Sequence, residues 1–339
     1  MFRGIFFAAL FVLTLSPAAP AWNRSPAVEF AALPAPLRHP EGLAVDRRTG
    51  DLYAADFDFE GTSPTGRIAV FDQSGRLLRV LKLQSSPALL GLDFHPITHQ
   101  LLVLDFGAGK VLRVHPRTGA TTVFAAPADS TGTGFNALTF DAAGNVYVSD
   151  SFRGIIWRTG QSGGTMTAWV GPNALLLPNG VPPFGANGLA FNRAGNTLFV
   201  ANTANDTVVQ IPVAAGVAGT PTVFVNSING ADGLIIDEDD NLWVAANQAD
   251  EIVVVDPSGK AIAKLGDFDG IAPDGSPRGL LFPASPVFFG DFVYVTNLAL
   301  DLREFNQQFR AVDSEYAAQV TTWNVARISR QLPPVQDRE

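Results

Sequence analysis

Apolar residues along this chain fall in short runs broken by polar turns containing glycine, proline, asparagine or aspartate, the signature of strands and tight turns. The pattern is periodic. EGLAVDRRTGDLYAAD begins at 41, LGLDFHPITHQLLVLD at 90, NALTFDAAGNVYVSD at 136, NGLAFNRAGNTLFVAN at 187, DGLIIDEDDNLWVAAN at 232 and RGLLFPASPVFFGDFVYVTN at 278. Each copy predicts a strand, a turn and a second strand. A third strand usually follows, as in RIAVFD (67–72), KVLRVH (110–115), TVVQIP (207–212) and EIVVVD (251–256), and often a fourth, as in LLRVLKL (77–83) and TTVFAA (121–126). Four antiparallel strands per repeat of this length predict the blade of a β-propeller, and strands apolar on both faces suit blades that stack face to face. The expectation is an all-β, six-bladed propeller in one domain spanning 22–339. The last copy lacks a clear fourth strand, so AVEFAAL (27–33) is expected to complete it and close the ring.

Composition changes the picture in three ways. The first 21 residues carry one cation, Arg3, an apolar run from Ile5 to Leu15 and the small-residue exit Ala19-Pro20-Ala21. The run is short for a membrane span and predicts a cleaved signal peptide, hence a secreted or periplasmic protein with no membrane partner after cleavage. Losing Arg3 takes the net charge from −9 to −10, which with no basic run argues against a nucleic-acid partner. The chain has no cysteine, so an exported fold has no disulfides, and thiolate zinc sites and cysteine nucleophiles are excluded.

Candidate chemistry lies at one repeat position. Asp46, Asp141, Asn192 and Asp237 recur at the first turn, where a short acid or amide accepts backbone N–H bonds and fixes the turn. The residue that opens each copy behaves differently: Glu41, Leu90, Asn136, Asn187, Asp232 and Arg278 vary in chemistry while their neighbours repeat. In a closed ring these six positions share one height and can converge on the central channel. Two carboxylates and two amides suit a hard divalent cation; calcium is favoured, with manganese or zinc as alternatives. Hydrogen bonding across a water-filled channel is the plainer reading of the same residues.

With those residues in register, the chain resembles the regucalcin/gluconolactonase-like six-bladed propellers, related in fold to diisopropyl fluorophosphatase and the paraoxonases. The resemblance spans essentially the whole mature chain. It implies that Glu41 in PEGLAVD, Asn187 in ANGLAFN and Asp232 in ADGLIID hold the catalytic metal, and that Asn136 in FNALTF lines the metal and substrate site. It implies metal-dependent hydrolysis of a small-molecule lactone or ester, or of phosphotriesters in some branches. Asp232 would serve as general base or as nucleophile; sequence leaves both open. A non-catalytic propeller that binds protein or glycan around a structural calcium is the competing reading.

Two departures bear on substrate. Asn136 precedes Ala137 where sugar lactonases place an acid, and Arg278 stands where the phosphotriesterase branch has a histidine near the site. Arg278 would then contact substrate, and Leu90 would leave one side of the ring apolar, favouring a substrate less hydrated than a sugar. The four histidines, GAGK (107–110) and the acidic loops 57–61 and 266–275 read as structural, although His39, two residues from Glu41, could carry protons at the channel mouth. Leu302, Phe305 and Phe309 have helical spacing within an insert (300–319) that reads as a surface element, with a lid as the alternative.

Overall fold

The computed structural model describes residues 25–309 and 314–332. The expected signal peptide, residues 1–21, lies outside the described residues. Among the described residues no helix is long and apolar enough to cross a membrane. The architecture is all-β, and the first five repeats form antiparallel strands as their pattern predicts. The first sheet runs Pro40–Asp46, Asp51–Asp56, Arg67–Phe71, Leu77–Lys82; the second Leu89–Phe94, Leu101–Asp105, Lys110–Val114, Thr121–Pro127. The third sheet runs Phe135–Phe140, Val146–Asp150, Ile155–Gly160, Gly163–Val170 and joins the second through a parallel pairing of outer strands at Gly164–Met166. The fourth contains Ala186–Phe191, Thr197–Asn202, Thr207–Ala214 and Thr222–Asn226; the fifth Ala231–Ile236, Leu242–Ala246, Glu251–Val255 and Ala261–Leu265. Pro283–Phe289, Phe292–Asn297 and Asn324–Ser329 form the last sheet, and Val28–Ala32 pairs antiparallel with Asn324–Ser329, covering its edge.

The first strands of successive sheets pack side by side, and Pro283–Phe289 packs back against Pro40–Asp46. Apolar clusters fill the gaps between neighbouring sheets. Tyr53, Ile68 and Leu81 meet Leu89, Leu101 and Leu112; Leu43, Leu52 and Phe71 meet Phe30, Tyr294 and Val325. Strands buried on both faces therefore stay apolar on both faces, each large side chain contributing roughly 1.5–3 kcal/mol.

The innermost strands share one device. In each, the pairing register slips by a bulge around the repeat position: between Pro40 and Leu43, Leu89 and Leu92, Phe135 and Leu138, Ala186 and Leu189, Ala231 and Leu234, and Pro283 and Pro286. The glycine after the variable residue is set by the next sheet. A Cβ on Gly188 would lie 2.5 Å from Leu234 N and 2.6 Å from Asp232 O, and one on Gly233 2.5 Å from Ala284 O. That close approach brings the variable side chains together on the channel.

The last copy corrects the sequence reading. Its innermost strand is Pro283–Phe289, so Ala284, six residues past Arg278, takes the ring position. The segment RGL (278–280) mimics the repeat, but Pro277–Gly279 pairs with Phe268–Ile271 in a separate two-stranded hairpin.

The turn residues act as expected, with more partners. Asp237 accepts from the N–H groups of Asp239 and Asn241, from Asn241 Nδ2 and from Trp243 Nε1, each at 2.9 Å. Burial raises its pKa, but these bonds outweigh that and hold it below the ordinary value.

Candidate metal centre in the channel

Glu41, Leu90, Asn136, Asn187 and Asp232 line one cavity in the middle of the molecule. Arg278 does not; it is exposed, and its Nε donates to the Asp269 carbonyl at 3.1 Å. The expected substrate contact through Arg278 is therefore replaced by the methyl group of Ala284, which packs with Leu90 and Phe282 in the apolar cluster beside the cavity.

All four polar ring residues are buried, Glu41 at 5% exposure and Asp232 at 4%. Their surroundings are rich in acceptors and poor in donors. Glu41 Oε2, Asn136 Oδ1, Asp232 Oδ1 and Asn247 Oδ1 are buried with no hydrogen-bond partner, four of the eight such side-chain atoms among the described residues. Buried polar atoms are ordinarily satisfied. Three of these oxygens, on Glu41, Asn136 and Asp232, belong to residues at the shared ring position, and open acceptors so placed suit a cation or hydrogen-bond donors such as water.

The remaining atoms are pinned. Asn247 Nδ2 donates to Asp232 Oδ2 at 2.9 Å, which leaves Asp232 Oδ1 as the open oxygen. Asn187 Nδ2 donates to Thr203 Oγ1 at 2.9 Å, and the Thr203 hydroxyl donates to the Ala231 carbonyl at 2.8 Å. Burial pushes Asp232 well above the usual carboxylate range, against hydrogen bonds from Asn247, Asn187 and the Gly233 N–H. Glu41 is raised by burial first and then by the negative charge of Asp232. Two neighbouring carboxyls that each resist ionisation would be stabilised as anions by a cation between them. Among the described residues no three His, Cys, Asp or Glu side chains form a group that could hold a metal, so an ion here would meet two carboxylates with amides, a set that suits a hard ion.

Asn247 and Thr203 escaped the sequence reading. A signal existed: Phe57, Thr203, Asn247 and Leu298 each directly follow the second strand of a repeat, and all four line the cavity. A second variable position in the same repeat therefore forms a second tier of the channel.

The cavity is polar on one side and apolar on the other. Phe57, Leu90, Phe282, Leu298, Leu300 and Leu302 belong to one apolar cluster, and Pro182 and Phe184 complete the wall. The free space is about 30 Å³, room for an ion or very few waters. Leu300 and Leu302 belong to the insert expected to be a surface element, so that segment builds the site; residues 310–313 of it lie outside the described residues.

His39 sits apart from this cavity. Its Nδ1 faces the Leu298 carbonyl at 3.2 Å, and burial lowers its pKa to about 4, so it is neutral at physiological pH and does not suit a proton carrier. His95 is structural: its Nε2 lies 2.9 Å from the Gly144 carbonyl. Asp58, in the acidic loop 57–61, is buried and saturated by the Thr62 and Ser63 N–H groups and the Arg67 guanidinium.

Comparison with known proteins defines first a fold and then a family. The chain superposes on regucalcin of Agrobacterium tumefaciens, a calcium-binding protein, with TM-score 0.60, 18% identity and coverage of 89% of this chain and 95% of that one. A gluconolactonase of Xanthomonas campestris gives TM-score 0.59 and 16% identity over 84% of this chain and 96% of that one. Virginiamycin B lyase of Staphylococcus aureus also superposes, with TM-score 0.55 and 12% identity over 86% and 95%. At these identities the likeness establishes a propeller-type fold and no reaction. No curated protein matches the chain. Residues 95–266 match the SMP-30/gluconolactonase/LRE-like region, and the chain belongs to that family. The matched stretch contains Asn136, Asn187 and Asp232; Glu41 precedes it.

Proposed function

We propose that this protein is an exported, single-domain, six-bladed propeller that hydrolyses lactones or related esters with a divalent cation, calcium by preference, in its channel. The strand pairing of Val28–Ala32 with the last sheet supports a ring closed by the N-terminal strand. The observation that carries the functional reading is the set of open, buried oxygens on Glu41, Asn136 and Asp232. Together with Asn187 these residues would hold the ion. A bound cation supplies positive charge that polarises an ester carbonyl and offsets the oxyanion that develops on it.

The chain's own groups do the rest. Asn247 holds one oxygen of Asp232, so the other is the atom that takes a proton from water as the water adds to the carbonyl. The same oxygen is the one that would attack directly if Asp232 is the nucleophile. Ring opening breaks the acyl C–O bond, and the departing alkoxide recovers the proton. The apolar wall restricts bulk water around the scissile bond.

Incubating the protein with lactones, simple esters and phosphotriesters, each with calcium, manganese, zinc or chelator, tests this. Lactone turnover that needs a divalent ion is expected. Phosphotriester turnover alone would move the assignment to that branch, and no turnover with any ion would leave a binding propeller.

A further inference from the structure

Six phenylalanines form a closed circuit of ring contacts beside the cavity: Phe57 and Phe184 lie in its wall, and Phe57 also meets Phe305 across the circuit at 6.3 Å. Phe57 meets Phe106 with centroids 5.5 Å apart, Phe106 meets Phe152 at 5.7 Å, and Phe152 meets Phe184 at 5.6 Å. Phe184 meets Phe305 at 5.9 Å, Phe305 stacks on Phe59 at 4.4 Å, and Phe59 returns to Phe57 at 5.4 Å. The circuit runs from the cavity wall to solvent: Phe57 is 2% exposed, Phe305 36% and Phe152 42%. The rings come from loops after three different second strands, from the loop before Ala186 and from the insert.

We propose that this circuit binds an apolar substituent, so that the substrates are lactones or esters bearing an alkyl or aryl chain and not polyhydroxylated sugar lactones; the inference rests on the hydrolase reading above. The free space beside the polar residues has room for an ion or a few waters, so the body of a substrate would lie against the rings that rim the cavity, where Phe57 and Phe184 form part of the wall. On the side that leads to the rings the wall is Phe57, Leu90, Phe282, Leu298, Leu300 and Leu302, which offer hydroxyl groups no partner, and a buried unpaired hydroxyl is unfavourable. The neighbouring arginines face other partners: Arg38 pairs with Glu60 at 3.1 Å, and Arg153 donates to the Asp129 carbonyl at 3.2 Å. An exposed apolar rim continuous with a buried polar floor fits one amphipathic small molecule, head down and chain out.

The test uses γ-lactones from unsubstituted to eight-carbon alkyl, glucono-δ-lactone, and the matching non-hydrolysable γ-lactams. With calcium present, kcat/KM should rise up to about fourfold per methylene until the circuit is spanned. Lactam dissociation constants, read by calorimetry, should fall in parallel. Phe305→Ala, and separately Phe152→Ala, should lower the long-chain to short-chain ratio by about tenfold in both assays. Chain-dependent lactam binding without hydrolysis would sink the hydrolase reading and leave the binding site standing. Hydrolysis that ignores chain length, or that prefers glucono-δ-lactone, would overturn the binding site and leave the hydrolase. Lactam binding that is flat with chain length would overturn it too.

Discussion

Glu41→Gln should make the metal-free protein more stable and the calcium-loaded protein less so. In the absence of a cation at pH 8, Glu41 and Asp232 are buried carboxyls whose outward oxygens meet no donor, and each resists ionisation because of burial and, for Glu41, the neighbouring charge. Glutamine keeps the shape, removes one of the two charges and brings an N–H donor into a cluster of acceptors. Relieving one unsatisfied buried group is worth about 1–3 kcal/mol. A chain of this length melts roughly 2 °C higher per kcal/mol, so the variant should gain about 2–6 °C in chelator. Calcium at a hundred times its dissociation constant adds roughly 2.7 kcal/mol to the wild type, and the variant, missing a carboxylate ligand, should gain much less. At a thousand times its dissociation constant calcium adds roughly 4.1 kcal/mol to the wild type, more than the variant's advantage in chelator, so the order of melting temperatures then inverts between chelator and calcium. The pH dependence has a fixed sign. A carboxyl with a raised folded pKa stabilises the fold below its unfolded value and loses that contribution as pH rises through the folded value. The advantage of Glu41→Gln in chelator should therefore shrink at pH 5.5 and grow toward pH 8. Scanning calorimetry at both pH values, with chelator and with calcium, reads all four cases. A variant less stable than wild type in chelator at pH 8 would show that Glu41 is satisfied without a cation, and the reasoning would fail.

Asp232→Asn retains size and one oxygen but loses the proton acceptor, so turnover should fall by about 10²–10⁴ even at saturating calcium; full activity there would remove Asp232 from the chemistry. Asp237→Asn should do the reverse. Its new amide group would face the Asn241 and Trp243 donors, so a loss of about 1–3 kcal/mol in denaturant unfolding is expected, with kcat of the folded protein within a factor of about two. Exported protein should begin at Trp22, which intact mass would establish, and a full-length product fixed in a membrane would overturn both signal and localisation.

Legibility followed the repeat. Strand identity, turn aspartates and four polar ring residues were readable because each repeat places the same pattern against the same kind of neighbour: apolar strand faces against the next sheet, glycine against the next backbone. Where the last copy lost that regularity the reading slipped. Arg278-Gly279-Leu280 looked like the ring motif, but the bulge that turns a side chain inward sits at Ala284, and a bulge depends on pairing with Phe292–Asn297, which local sequence does not encode. The second tier was hidden for a similar reason. Asn247 and Thr203 matter because of which atoms they hold, Asp232 Oδ2 and Asn187 Nδ2, and the phenylalanine circuit joins rings after three second strands to Phe184 and Phe305, which lie outside the repeat. Local pattern is enough to decide that a residue lies on an inner strand, because periodicity and burial act along the chain. Which oxygens are left open, and which rings close over them, depends on distances between strands far apart in sequence, and only packing in three dimensions sets those.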